Sequence, residues 1–356
     1  MSFAVEVRTP ARLHLGMMSF GVSGLRSFGG VGLMLDRPGV HLRAWQSDRY
    51  EARGIHGERA ITFAQKCATA WKLGDAAACG IEVVTAPPAH VGLGCGTQLG
   101  LAVAAAMRQL FVTGLPEEPQ PRSRPAEEDV ELGEHELVFD IRDAIALARA
   151  VGRGRRSSVG VYGFSRGGMI VEAGRFVETD AVAEDEATRP FSPMVARVRL
   201  PSAWRCLVIV AREVTGIHGM AERQAFSRLP PVPVEISAEL ARLALLDLVP
   251  AAQEGRFAEF SAALRAYGML AGKPFEQESR KLPHHAATLD LLELLGELGA
   301  VGAAQSSWGP AVVACCESLE DAGRLLESLE KLDIGRHHDM LIARADSQGA
   351  VLRLCE

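Results

Sequence analysis

Apolar and polar positions change period several times along the chain, and each change marks an element. Residues 3–8 alternate, as do residues 39–46, and both segments predict half-buried strands. Between them Gly16, Gly21, Gly24, Gly29, Gly30 and Gly32 predict a loop with turns and close approach of the backbone to something. Helical spacing covers 59–73, and a short apolar run predicts a strand at 80–85. The alanine-rich run from Leu99 to Phe111 is apolar all round and predicts a helix buried on several sides. A helix is expected at 140–151, and short strands with glycine turns at 158–176. Further on, the pattern predicts strands at 195–200 and 204–210, helices at 234–248 and 253–271 split by Pro250, and a helix at 285–298. Strand 311–316, helix 318–331 and strands at 339–344 and 350–354 close the chain. Helices and strands alternating in this way suit an α+β layer architecture.

Composition narrows this picture. A chain of 356 residues accommodates two domains or one large one. The polar, acidic stretch near 176–200 predicts the boundary, giving units of 1–190 and 191–356. Residues 115–137 are rich in acids and prolines and bury little, which predicts a flexible, solvated excursion. A net charge of −6 argues against a nucleic-acid partner while leaving room for a local basic cleft. No uninterrupted apolar run is long enough to span a membrane, and the N-terminus lacks the pattern of a signal peptide. The seven cysteines include no CxxC pair, so free thiols in a reducing cytoplasm are expected.

The strongest chemical signal is the segment Pro88 to Gly100, lying between a predicted strand and a predicted helix. Gly92, Gly94, Cys95, Gly96 and Thr97 are small enough for backbone N–H groups to converge on an anion at the start of that helix. Thr97 is placed either to cap the helix or to offer its hydroxyl to phosphate. No Gly-Lys-Ser/Thr follows, so this is not a Walker A loop, and the glycine spacing is not that of a dinucleotide fold. On composition alone, a tight turn that binds nothing stays open.

The phrase Pro88-Ala89-His90-Val91-Gly92-Leu93-Gly94 resembles the second signature of the GHMP superfamily, with Cys95 and Gly96 where two serines are usual. Pro10-Ala11-Arg12-Leu13-His14-Leu15-Gly16, followed by Arg26 and Gly29-Gly30-Val31-Gly32, sits where those proteins carry their first signature. The segments Arg153–Gly168, Gly216–Arg223 and Gln305–Pro310 add to the likeness. Together they resemble the β-ribofuranosylaminobenzene 5′-phosphate synthases over residues 5–345. This resemblance implies a GHMP-type two-domain fold, with an N-terminal ribosomal-S5-like domain and a C-terminal α/β sandwich domain. It implies an enzyme joining 5-phosphoribosyl 1-diphosphate to 4-aminobenzoate or 4-hydroxybenzoate with release of CO₂ and diphosphate, in tetrahydromethanopterin biosynthesis. It also implies Mg²⁺, with protein ligands unassigned, and a homodimer.

All reactants of that chemistry are anionic, so fixed guanidinium groups are expected. Arg12, Arg26, Arg153, Arg155 and Arg156 are candidate clamps. His14, Arg26 and His218 are expected as catalytic residues, and Gly92, Gly94, Cys95, Gly96 and Thr97 as the diphosphate cradle. Substrate contacts are expected from Arg12, Arg155, Ser157, Glu222, Arg223, Gln305, Ser306, Ser307 and Trp308, the last either stacking on the acceptor ring or packing beneath its turn. His337-His338-Asp339 looks like a metal site, but neighbours on one strand point to opposite faces. An ATP-dependent GHMP small-molecule kinase and a non-catalytic ligand-binding relative are the alternatives.

Overall fold

A computed structural model describes residues 4–22, 25–74, 77–113, 136–176, 190–217 and 219–355. The acidic excursion lies outside them except for Glu136 and Leu137, which belong to a short strand.

In chain order the first half runs β1 (Ala4–Met17), β2 (Arg26–Ser27), β3 (Gly30–Gln46), β4 (Glu51–Gly54), α1 (Gly57–Ala70), β5 (Cys79–Thr85) and α2 (Cys95–Arg108). It continues with β6 (Glu136–Val138), α3 (Ile141–Ala150), α4 (Val159–Arg166), β7 (Met169–Glu172) and β8 (Arg175–Phe176). The second half runs β9 (Met194–Val198), β10 (Arg205–Ala211), α5 (Gly219–Arg228), α6 (Val234–Arg242), α7 (Val249–Glu254), α8 (Phe257–Gly272), α9 (Glu276–Ser279) and α10 (His285–Glu297). It ends with β11 (Ala303–Gln305), β12 (Ala311–Cys316), α11 (Leu319–Lys331), β13 (His338–Ala343) and β14 (Val351–Cys355).

Two sheets organise the molecule. The path β4-β5-β3-β1-β14-β6 forms the first, with β7 also on β3 and β9 on β7. Strands β9 and β14 come from the second half of the chain, so the first sheet is completed only by the far end of the sequence. The second sheet is β11-β12-β10-β13, antiparallel throughout. Alternation along β10 serves two cores. Leu207 and Ile209 pack with α10 and α11, while Cys206, Val208 and Val210 face α6 to α8. The fold is therefore α+β, with helices packed on two sheets.

Strand β1 extends well past the alternating stretch at 3–8. Its register on β3 shifts between Thr9 and Ala11. Before the shift Val5 and Val7 join the core under α1 to α3; beyond it Ala11, Leu13 and Leu15 join the core under α8. The irregularity thereby turns Arg12 and His14 toward the start of α2. Gly30 and Gly32, expected in a loop, are strand residues. A Cβ on Gly32 would lie 2.4 Å from Val159 Cγ1, so these glycines serve close packing rather than turning.

Two other segments differ from expectation. Residues 159–166 form helix α4 instead of a strand, because Gly160 and Gly163 let it press on Thr97 and Met34. Pro250 does not split the helical stretch. It sits in the first turn of α7, directly after a π-type turn at 243–248, where its missing N–H costs little. The break comes at Gly255, which adopts the left-handed conformation. All seven cysteines are free.

Candidate active site

The loop from β5 into α2 is built as an open anion cradle. Gly92 and Gly94 have φ of 100° and 71°, the region where a side chain is strained. Gly94, not Thr97, occupies the N-cap position, and no side chain caps the helix. The Gly94 carbonyl accepts the N–H groups of Thr97 and Gln98 at 3.0 and 3.1 Å. The first-turn N–H groups of Cys95 and Gly96 have no partner within the helix, and the helix dipole favours an anion in front of them.

Segments far apart in sequence hold the cradle. Arg12 N–H donates to Leu93 O at 3.1 Å, Gly216 N–H to His90 O at 2.8 Å, and Ala311 N–H to Val91 O at 3.0 Å. Buried Ser306 is the central tie. Its hydroxyl donates to Gly92 O at 2.7 Å and accepts the His14 N–H at 2.9 Å. Ser307 N–H donates to His14 O at 2.8 Å. Ser306 and Ser307 thus shape the loop through their connections to it.

Arginines supply the charge. Arg12 runs alongside the cradle: a Cβ on Gly94 would lie 3.3 Å from its Nε, which is buried without a hydrogen-bond partner. Arg153 also buries its Nε without a partner, and its guanidinium lies 5.0 Å from the Phe63 ring centre. Burial first, then the charges of Arg59 and Arg155, lowers the Arg153 pKa to about 10. Arg59, from the first turn of α1, reaches the same place, its guanidinium 5.9 Å from Phe63. Cys95 does not answer these charges as a thiolate, since burial pushes its thiol up to about 11. Arg155 folds back against Gly152, and Ser157 accepts the Val159 N–H at 3.3 Å at the start of α4.

His14 is buried, and Gly16 N–H donates to its Nδ1 at 3.3 Å. That places the imidazole proton on Nε2, which has no partner. Burial, reinforced by Arg12, lowers its pKa to about 3, so His14 offers a neutral N–H near neutral pH rather than an imidazolium acid. Glu172 on β7 is fully buried nearby. Its carboxylate accepts the Ser158 N–H at 2.7 Å, and burial raises its pKa to about 7.

An aromatic wall closes one side. Trp308 packs with Phe226 and Phe275, ring centres at 5.0 and 5.3 Å, and Phe20 joins the cluster. Trp308 is therefore packed among rings beneath its turn, and Gln305 supports that turn by donating to Gly309 O at 2.9 Å. Arg156 lies 4.6 Å from the Phe226 ring centre and pairs with Glu222 at 2.5 Å. Arg26 donates to Gly174 O at 2.9 Å and stacks on Phe176 at 4.5 Å, tying β2 to β8. His218 and the side chain of Arg223 lie outside the described residues. Away from the site, His338 bonds Ile334 O through Nδ1 and Asp339 pairs with Arg212, so the two face different partners.

Sequence reading missed Arg59 and Glu172. Arg59 looks like any polar residue on an amphipathic helix, and only the bare Gly96 opposite it hints at a role. Glu172 sits in a short apolar strand, where an acid was itself a signal.

The model for the C-terminal region of GHMP kinases matches residues 248–334. A beta-ribofuranosylphenol 5'-phosphate synthase of Archaeoglobus fulgidus is 31% identical over 91% of each chain. The chain belongs to this synthase family. A beta-ribofuranosylphenol 5'-phosphate synthase of Methanothermobacter thermautotrophicus is 27% identical over 88% of each chain. The family's fold is shared with solved structures of low identity. Mevalonate pyrophosphate decarboxylase from Streptococcus pyogenes has a TM-score of 0.61 at 12% identity, with 97% of each chain covered. Homoserine kinase from Cytophaga hutchinsonii has a TM-score of 0.59 at 15% identity, covering 99% of this chain and 97% of that one. As a family of synthases, its members are enzymes of the pentosyltransferase type. No helix among the described residues is long and apolar enough to cross a membrane.

Proposed function

We propose that this enzyme transfers the phosphoribosyl group of 5-phosphoribosyl 1-diphosphate to a 4-substituted benzoate, releasing CO₂ and diphosphate. The observation that carries the reading is the convergence of Arg12, Arg59 and Arg153 on an uncapped helix start, with no carboxylate paired to any of them among the described residues. Such a site suits a leaving diphosphate. The relatives are named for a ribofuranosylphenol product. A phenol is what 4-hydroxybenzoate becomes after losing CO₂, which favours 4-hydroxybenzoate over 4-aminobenzoate as the acceptor here.

The chemistry balances without an external base. The bond from ribosyl C1 to the diphosphate oxygen breaks, and its electron pair leaves with diphosphate. The ring carbon bearing the carboxylate then bonds to C1, and the electrons of the bond to CO₂ restore the aromatic ring. No proton need be removed, which fits a neutral His14. His14, Arg26 and His218 are proposed to act on the reacting groups, and Arg155, Ser157, Glu222, Arg223 and Gln305 to line the substrates, with Trp308 supporting the turn behind them. Among the described residues no group of three or more His, Cys, Asp or Glu side chains is arranged to hold a metal. Mg²⁺ is proposed to come bound to the donor's own oxygens, because it favours phosphate oxygens and water over an all-protein cage, and there it would screen the leaving group's charge.

The test is incubation of the protein with 5-phosphoribosyl 1-diphosphate, Mg²⁺ and carboxyl-labelled 4-hydroxybenzoate or 4-aminobenzoate. Labelled CO₂ should appear, faster with the hydroxy acid. Release with neither acid would overturn the proposal, and phosphorylation of a small alcohol by ATP would replace it with a kinase.

A further inference from the structure

We propose that Gly96 is a specificity position, kept without a side chain so that Arg59 can join Arg153 at the start of α2, and that this pair grips the donor's diphosphate. The inference rests on the phosphoribosyl-transfer reading and assigns one of its groups to one place.

Backbone conformation does not explain the glycine. Gly92 and Gly94 have positive φ, but Gly96 does not and lies inside the first turn of α2. A glycine there weakens the helix relative to alanine. Space explains it instead. A Cβ built on Gly96 would lie 2.3 Å from Arg59 Nη2 and 3.4 Å from Arg153 Nη2. Any side chain at 96 must push the Arg59 guanidinium away from the helix start.

The approach of two like charges needs a reason as well. Phe63 is buried and carries both guanidiniums on its ring, which fixes them from below. Neither makes an ion pair with a carboxylate among the described residues. Glu222, the acid nearest in effect on Arg153, is paired with Arg156. Two cations held together at the positive end of a helix, with open N–H groups between them, are complementary to a phosphoryl oxyanion of high charge. The donor offers two sources of that chemistry, its diphosphate and its 5-phosphate. The cradle of Cys95 and Gly96 N–H groups with both guanidiniums favours the more highly charged diphosphate.

Calorimetric titration with inorganic diphosphate and with ribose 5-phosphate separates the two sources. Arg59→Ala and Gly96→Ser should each weaken diphosphate binding by about 10- to 100-fold, the loss of one charged hydrogen-bonding group. Ribose 5-phosphate binding should change by less than about threefold in either variant. The double variant should bind diphosphate no more weakly than Gly96→Ser alone, because both changes remove the same contact. Unchanged diphosphate binding in Arg59→Ala overturns the proposal, as do additive losses in the double variant or a larger loss for ribose 5-phosphate. Arg59 is partly exposed, so its alanine variant keeps the test sound if Gly96→Ser does not fold. Wild-type protein that binds diphosphate through Arg59 yet releases no CO₂ from either benzoate would support the site while removing the synthase reading.

Discussion

Burial shifts two site side chains in opposite directions and so favours the neutral form of each. Glu172 holds its proton to about pH 7 in the fold against an ordinary value near 4.5. Its contribution to stability is therefore complete below pH 4.5 and lost as pH rises through 7. Glu172→Gln should flatten this decline, worth a few kcal/mol at most, in urea midpoints measured from pH 5 to 8. An unchanged slope would show that the carboxyl is not held protonated. His14 works in the other direction. Its folded pKa of about 3 lies below the ordinary 6.5, so its contribution is complete above pH 6.5 and lost as pH falls toward 3. His14→Gln should lose that acid limb in urea midpoints measured from about pH 7 down to about 4. Arg26 carries a different expectation. Removing its bond to Gly174 O and its stacking on Phe176 by Arg26→Ala should cost about 1–2 kcal/mol. As a proposed site residue it should also lower kcat/KM, and kinetics equal to wild type would confine it to the β2–β8 contact.

At the scale of elements, the cradle depends on one strand, one loop and one turn meeting at Ser306. Its hydroxyl satisfies the His14 N–H of β1 and the Gly92 carbonyl of the loop. Ser306→Ala leaves both groups buried and unpaired, which should cost about 1–3 kcal/mol in equilibrium unfolding. Donor KM should rise as well, because the loop loses its tie; a variant with lower stability and unaltered KM would separate loop shape from binding. Helix α4 shows why local pattern failed here. Val159, Val161 and Tyr162 favour a strand by propensity. The helix forms because its glycines fit closely against α2 and β3, and Gln98 donates to Gly160 O at 2.8 Å. The two helix starts are thereby brought side by side at the site.

Across the whole molecule, the chain's ends meet. Strand β14 pairs with β1 on one side and β6 on the other. Ending the chain at Gly349 would expose the ladder of β1 and uncover Val5 and Val7 beneath it. Loss of cooperative unfolding and of soluble protein is expected, read by thermal melts and yield; a stable, cooperative truncation would show β14 to be dispensable. The second sheet enters the site through the turn between β11 and β12, which lies against the glycine loop: a Cβ on Gly309 would sit 2.3 Å from Val91 O. The site therefore forms only when both sheets are in place.

Most helices and strands are legible in the chain itself, through the period of their apolar positions. The glycine loop is legible too, and the motif phrases around it carry the family resemblance, although what bars a side chain at 92 and 94 is the close approach of Ser306 O and Arg12 Cβ. Tertiary structure decided which charges converge. Arg59 gave no local sign, and the acid at Glu172 in an apolar strand marked a position but not its partners, since both roles arise from contact with residues on other elements. Tertiary structure alone placed Trp308 among rings and His14 in a dry, neutral setting. Those outcomes depend on desolvation and close packing between distant segments, and neither is written in the spacing of residues along one element.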